Sequence, residues 1–259
     1  MSQIGAEAVK ELRDKTGVSV MQCKKALEEA EGDMEKALLI LQKKSSEIMA
    51  KKADRDSSDG IITIKQSGNK VAISKISCET DFVSKNEEFV KFAEEVTEKL
   101  LDSEDAAKEY AESKISELVQ KIGENIQVKE LESYDGETIG LYVHHDKKSG
   151  SVIILKGGTP ELAKDIAMHA TAMRPQYLKR DDVDSDTLEK MTELFREEIK
   201  ESGKPEDIQE KMLKGKVDSY LKEITLLEQP FIKDGEKTIS RLLEDNSATI
   251  DRLIYKSVS

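Results

Sequence analysis

At residue 61 the apolar residues of this chain stop recurring every three or four positions and begin to alternate, and the same change happens again at residue 139. Alternation puts one face of an extended strand on a core, whereas the longer period lines one side of a helix. The first alternating stretch holds Ile61-Ile62-Thr63-Ile64 and Val71-Ala72-Ile73-Ser74-Lys75-Ile76 around Ser67-Gly68-Asn69, a hairpin pattern. Ser84-Lys85-Asn86-Glu87 then reads as a capping box opening a helix with Phe89, Val90, Phe92, Ala93, Val96 and Leu100 on one side. Ala106, Ala107, Ile115, Leu118 and Val119 mark a further helical stretch. The second alternating stretch pairs Ile139-Gly140-Leu141-Tyr142-Val143-His144-His145 with Ser151-Val152-Ile153-Ile154-Leu155 across residues 146–150. Thr159 and Pro160 follow as N-cap and first turn of a helix carrying Leu162, Ile166, Ala167, Ala170 and Met173. Strand, turn, strand, helix therefore occurs twice, which predicts an α+β chain with a duplicated core of two related subdomains.

The flanks are helical. Residues 1–42 predict three short helices: Gly17 suits a left-handed cap, Ser19 caps the second and Asp33 the third, with Ala8, Val9 and Leu12 on the first, Met21, Cys23, Ala26 and Leu27 on the second, and Met34, Ala37, Leu38 and Leu41 on the third as the apolar positions. Residues 43–60 are polar and mixed in charge, and read as a linker, partly helical at its start. The core subdomains are expected at 61–138 and 139–180. Residues 181–226 predict an antiparallel helical hairpin: Leu188, Met191, Leu194, Phe195 and Ile199 line one helix, and Ile208, Met212, Val217, Tyr220, Leu221 and Ile224 the other, about Gly203-Lys204-Pro205. The remainder, 227–259, is expected to return to the second subdomain as a short C-terminal module.

Composition narrows the chemistry. Charged residues make up 36% of the 259, aromatics 4%, and the net charge is −12. An acidic chain is a poor general grip for phosphates, which need a cationic footprint. Two cysteines, Cys23 and Cys78, make no disulfide framework and read as small core residues in a reducing, cytoplasmic setting. No apolar run approaches the roughly 18 residues of a membrane span, and the first residues show no secretory or transit pattern. No nucleophile signature or phosphate-cradling glycine loop is present, so neither catalysis nor a cofactor is expected. His144 and His145, adjacent on an expected strand, point to opposite faces and do not chelate. Asp182, Asp184, Asp186 and Glu193 have calcium-loop spacing, but Thr187 stands where that loop needs glycine, and Asp186-Thr187-Leu188-Glu189 reads better as a capping box. His169, beside Ala167, Met168 and Ala170, reads as a packed helix histidine. The informative segment is Cys78-Glu79-Thr80-Asp81-Phe82-Val83-Ser84-Lys85-Asn86, between a strand and a capped helix. Tucking Phe82 under the loop is the commoner outcome for such a ring. Displaying it beside an acid would suit intrusion into another protein.

Three groups of residues in the N-terminal module resemble that of the bacterial elongation factor Ts family: Leu12-Arg13-x-Lys15-Thr16-Gly17, Cys23-Lys24-Lys25-Ala26-Leu27 and Gly32-Asp33-x-x-Lys36-Ala37. Cys78-Glu79-Thr80-Asp81-Phe82-Val83 matches its hallmark loop, Asp165-Ile166-Ala167-Met168-His169 with Pro175 its second core subdomain, and Leu227-x-Gln229-Pro230-Phe231 the segment after its hairpin. The resemblance implies a ubiquitin-associated-like N-terminal module, a duplicated core, a coiled-coil hairpin and a C-terminal module. It implies a guanine-nucleotide exchange factor, without covalent chemistry, for the GTPase elongation factor Tu. Thr80, Asp81, Phe82 and Val83 would disturb the groups holding Mg²⁺ in that partner, and Arg13, Thr16, Gly17 and His169 would add contacts; for His169, contact and packing stand level. The competing readings are an adaptor with no effect on nucleotide and, further off, an RNA-associated protein using Lys43-Lys44 and Lys51-Lys52.

Overall fold

Gly17, Ser19 and Asp33 set the ends of the first helices in the computed structural model, which describes residues 4–258. Helix α1 (Ala6–Thr16) stops at Gly17, whose φ of 67° lets its N–H reach back to Arg13 O. Ser19 and Gln22 form a reciprocal capping box on α2 (Val20–Glu29). The Asp33 carboxylate accepts from the Glu35 and Lys36 amides to start α3 (Met34–Lys52). Val9, Leu12, Cys23, Ala26, Leu27, Ala37 and Leu41 are the core of this small bundle. Helix α3 runs unbroken to Lys52, through the first ten residues of the segment read as a linker. The reason lies in tertiary packing: Ile48 and Met49, the two large apolar residues there, sit against the core of the following sheet.

That sheet is β1 (Asp59–Ser67), β2 (Lys70–Cys78) and β3 (Gln127–Asp135), in that order and antiparallel, with Ser67 opposite Lys70 at the hairpin turn. Between β2 and β3 lie α4 (Asp81–Ser84), α5 (Glu87–Asp102) and α6 (Glu104–Ile122). The N-cap of α5 is Asn86, which accepts from the Glu88 and Phe89 amides, rather than Ser84 as the capping-box reading had it. Phe89, Phe92, Ala93, Val96 and Leu100 of α5 join Ile61, Ala72, Ile76 and Cys78 of the sheet in one apolar core. Thr63, Ser74 and Thr97 are fully or nearly buried there and bond to one another, with Ser74 Oγ 2.7 Å from Thr97 Oγ1 and 2.8 Å from Thr63 Oγ1.

The second sheet is β4 (Thr138–Val143), β5 (Ser149–Lys156) and β8 (Thr249–Ser257), in that order. His144 and His145 fall just beyond β4, not on it. Helix α7 (Pro160–Met173), capped by Thr159, covers β4, and Gly140 is the point of closest approach: a Cβ there would lie 2.0 Å from Ala163 C. Ile153, Leu155, Leu162, Ala163, Ile166, Phe231 and Leu243 form the core. Helices α8 (Ser185–Lys200) and α9 (Glu206–Ile224) make the hairpin. Phe195 meets Tyr220 edge-on and Lys216 pairs with Glu198 at 2.6 Å, so the two run antiparallel. Asp184, not Asp186, caps α8 by accepting from the Thr187 amide. Strands β6 (Pro230–Phe231) and β7 (Asp234–Thr238) and the short helix α10 (Ile239–Asp245) lead into β8. The last segment thus supplies both a short helix and a return to the sheet. The chain divides into two compact units. One runs to Asp135 and includes His145–Ser149 and the residues from Lys256; the other comprises Gly136–His144 and Gly150–Tyr255.

Candidate functional site

Strand β2 ends at Cys78 and the chain must turn before α5, and the four-residue helix α4 makes that turn. One residue advances about 100° around a helix, so neighbours on α4 point in clearly different directions. Val83 is 8% exposed and belongs to the core of the first sheet, while Phe82 is 82% exposed. Asp81 is also exposed and pairs with Lys85 at 2.8 Å. That pairing raises the Lys85 ammonium above its ordinary range. The sequence-expected quartet is therefore divided: Asp81 and Phe82 stand outward, Val83 is their anchor, and Thr80 is bonded back to the body.

Two clamps hold the turn. On one side the Glu124 carboxylate, just past the α6 C-cap Gly123, accepts from the Glu79 N–H at 3.1 Å, the Thr80 N–H at 3.0 Å and the Thr80 hydroxyl at 2.6 Å. In return the Glu79 carboxylate accepts from the Asn125 N–H at 2.6 Å and pairs with Arg55 at 3.5 Å. The buried Asn125 amide donates to Arg55 O at 2.8 Å and Ala53 O at 3.3 Å. On the other side Lys148, from the turn between β4 and β5, donates to Ser84 Oγ at 2.8 Å and Gly60 O at 3.0 Å, and pairs with Asp59. Burial would raise the Asp59 carboxyl, but Lys148, Ser84 and the Gly60 N–H outweigh it and hold it below the usual carboxylate range. Cys78 lies between the clamps. Burial, with the charges of Asp59 and Glu124 adding to it, pushes its thiol up to about 12, so it stays an unreactive core thiol.

The other expected residues lie elsewhere. Arg13 is exposed on α1, Thr16 is half-buried with its hydroxyl donating to Leu12 O at 2.7 Å, and Gly17 is the helix cap. His169 on α7 is 0% exposed: its Nε2 is 2.9 Å from Gln229 Oε1, its Nδ1 accepts from the Ile232 N–H at 3.3 Å, and its ring lies against Phe231. Every polar atom of that ring is engaged inside the chain, so of its two sequence readings its surroundings satisfy packing. Burial lowers its pKa from the ordinary histidine value. Asp184, from the calcium-like spacing, is engaged by the Thr187 amide and the Tyr177 hydroxyl, and among the described residues no His, Cys, Asp or Glu cluster is placed to hold a metal. No helix there is long and apolar enough to cross a membrane.

The pattern of the family described as Elongation factor TS matches residues 79–259, beginning inside this turn. The chain is 40% identical over 265 residues to Elongation factor Ts of Hahella chejuensis, covering 100% of this chain and 93% of that one. It is 41% identical to those of Thioalkalivibrio sulfidiphilus, over 98% of this chain and 92% of that one, and Psychromonas ingrahamii, over 98% and 90%.

The chain belongs to the elongation factor Ts family. That is a family of non-catalytic nucleotide exchange factors of translation elongation, so no covalent chemistry is asked of this site. What the turn offers is shape: a carboxylate and an aromatic ring raised on a short helix that is bonded on both flanks. The raised residues Asp81 and Phe82 stand out in the sequence, whereas Glu124, Asn125 and Lys148, which hold the turn, do not. The one local signal was Gly123, a helix-ending glycine followed by two polar residues. Their partners stand 44 to 89 residues away, beyond any spacing rule.

Proposed function

We propose that this chain binds elongation factor Tu in its GDP form and speeds release of the nucleotide by thrusting Asp81 and Phe82 toward the groups that hold Mg²⁺ in that partner. Mg²⁺ neutralises phosphate oxygens, so a partner that loses it holds GDP less tightly. The observation that carries the reading is the 82% exposure of Phe82, a large ring in water one residue from a core anchor. A rigidly placed side chain loses little freedom on binding, so a ring held out on a well-tied turn suits a contact residue. Arg13, Thr16 and Gly17, at the end of α1, are read as further contacts. The finer architecture goes with this reading: a ubiquitin-associated-like bundle, a coiled-coil hairpin, and a core of two related halves. In support of duplication, each half places a hairpin first and adds a third strand beside the hairpin's second strand after its helices.

The deciding experiment is release of labelled GDP from elongation factor Tu with Phe82→Ala, and separately Asp81→Ala, beside thermal melting of each variant. Slower release at an unchanged melting point is expected for Phe82→Ala. Unchanged release by a folded, partner-binding Phe82→Ala would sink the wedge. Binding by the unaltered chain without any faster release would leave an adaptor instead.

A further inference from the structure

We infer that Glu124 is a positioning residue for exchange: its carboxylate holds the Glu79–Thr80 backbone and so sets where Asp81 and Phe82 stand. The inference rests on the wedge reading above and goes beyond it to a residue outside the raised turn. Three donors converge on this one side chain: two consecutive backbone N–H groups on Oε2 and the Thr80 hydroxyl on Oε1. Thr80 is the residue immediately before α4, and Ser84 N–H returns to Thr80 O at 3.2 Å, so the start of the short helix is fixed through the residue Glu124 grips. Nothing within α4 could fix it alone. Its Thr80 N-cap makes no side-chain cap bond of its own, and a single helical turn is not self-supporting. The Thr80 hydroxyl that would ordinarily cap the turn is directed to Glu124 instead. The grip is reciprocal, since Glu79 holds the amide of Asn125, the residue after Glu124. Together the two carboxylates tie two chain segments by four bonds.

The geometry also says which part of Glu124 matters. All three groups it serves are donors, or a hydroxyl that can turn round. An amide at this position can accept both N–H bonds on its oxygen and donate to the Thr80 hydroxyl from its nitrogen. The role therefore needs an acceptor of that shape and not a negative charge.

The test uses the full chain with elongation factor Tu loaded with labelled GDP. Release is measured across factor concentrations, beside hydrogen exchange of the 79 and 80 amides and thermal melting. Glu124→Ala should expose both amides to exchange and slow release at saturating factor by up to about a hundredfold, the scale of a 1 Å misplacement, with cooperative melting retained. Glu124→Gln should recover most of the rate and the amide protection. In a Phe82→Ala background, Glu124→Ala should slow release far less than it does alone, because part of its effect is to place that ring. The inference is overturned if Glu124→Ala releases GDP at the normal saturating rate, if Glu124→Gln is as slow as Glu124→Ala, or if the two losses multiply in full. If Phe82→Ala alone has no effect, it is the wedge reading that fails; a slow Phe82→Ala beside a normal Glu124→Ala fails this inference alone.

Discussion

Phe82 and Val83 are adjacent in the chain and opposite in fate, because one step around α4 carries a side chain from water to the core. The consequence is a pair of substitutions with exchanged effects. Val83→Ala removes two buried methyl groups from the core of the first sheet and should lower stability by about 2 kcal/mol, read as a drop in denaturation midpoint. Phe82→Ala, at a site 82% exposed, should stay within about 0.5 kcal/mol of the unaltered chain. His169 makes a second prediction at this scale. Its Nδ1 accepts from the Ile232 amide, so a proton on that nitrogen would set two donors against each other. Its folded pKa lies below the ordinary value near 6.5, so between the two the unfolded chain binds more protons than the folded one. Stability contributed by this ring is therefore full above about pH 6.5 and declines as the pH falls below it. Melting points of the unaltered chain and His169→Gln, compared at pH 7.5 and 5.5, should show the larger fall for the unaltered chain. Equal falls would mean that His169 does not titrate differently on folding.

At the scale of elements, caps and close approaches determine where each piece stops and what it can lie against. Asn86, not Ser84, receives the first amides of α5, and this frees Ser84 Oγ to accept from Lys148 and donate to Asp81 O. Both residues are good N-caps by type, and in the folded chain the Ser84 hydroxyl is engaged by Lys148 and Asp81 O while Asn86 takes the cap. Asn86→Ala should cost about 1 kcal/mol, the usual worth of an N-cap. Gly140 shows the tighter constraint. Any Cβ there would meet the α7 backbone at Ala163, which cannot give way as a flexible side chain would. Gly140→Ala should destabilise the second unit by about 3 kcal/mol through overpacking, seen as an early unfolding phase in a denaturant series. If the early phase is missing, α7 shifts more freely than its packing implies.

For the whole molecule, the path of α3 decides where the chain can be cut. Its first half carries Ala37 and Leu41 of the bundle core, and its second half sets Ile48 and Met49 against the first sheet. Removing residues 1–42 should therefore leave the rest melting as a cooperative unit while weakening partner binding. Removing residues 1–55 should lower the melting point as well, because it strips Ile48 and Met49 from the sheet's core and takes away the Ala53 and Arg55 carbonyls that Asn125 holds. Circular dichroism of the two truncations, side by side, checks the melting, and calorimetric binding to elongation factor Tu checks the loss of affinity. Exchange also has a thermodynamic signature. A factor that weakens GDP binding must itself be weakened by GDP to the same degree, so calorimetry should find the tightest binding to nucleotide-free elongation factor Tu.

Periodicity, caps and turn residues by themselves determined most elements here. The β1–β2 hairpin about Gly68-Asn69, α7 after Thr159-Pro160, the Gly17 and Ser19 boundaries and the two-helix hairpin are local patterns, set by residues within a few positions of one another. The raised turn, too, was legible from Cys78 to Asn86, as was its likeness to one family. What only the tertiary structure decided is everything that depends on distant partners. Strand β3 lacks a clear alternation because none of its positions is fully buried, and it becomes a strand by pairing with β2. Helix α3 continues past Leu41 because two apolar residues find a surface. Phe82 faces water because Val83 is held in the core, and the turn stands firm because Glu124 and Lys148 reach it from 44 and 64 residues away. Local patterns encode backbone conformation, but the direction of a side chain on a turn is set by whatever grips its neighbours.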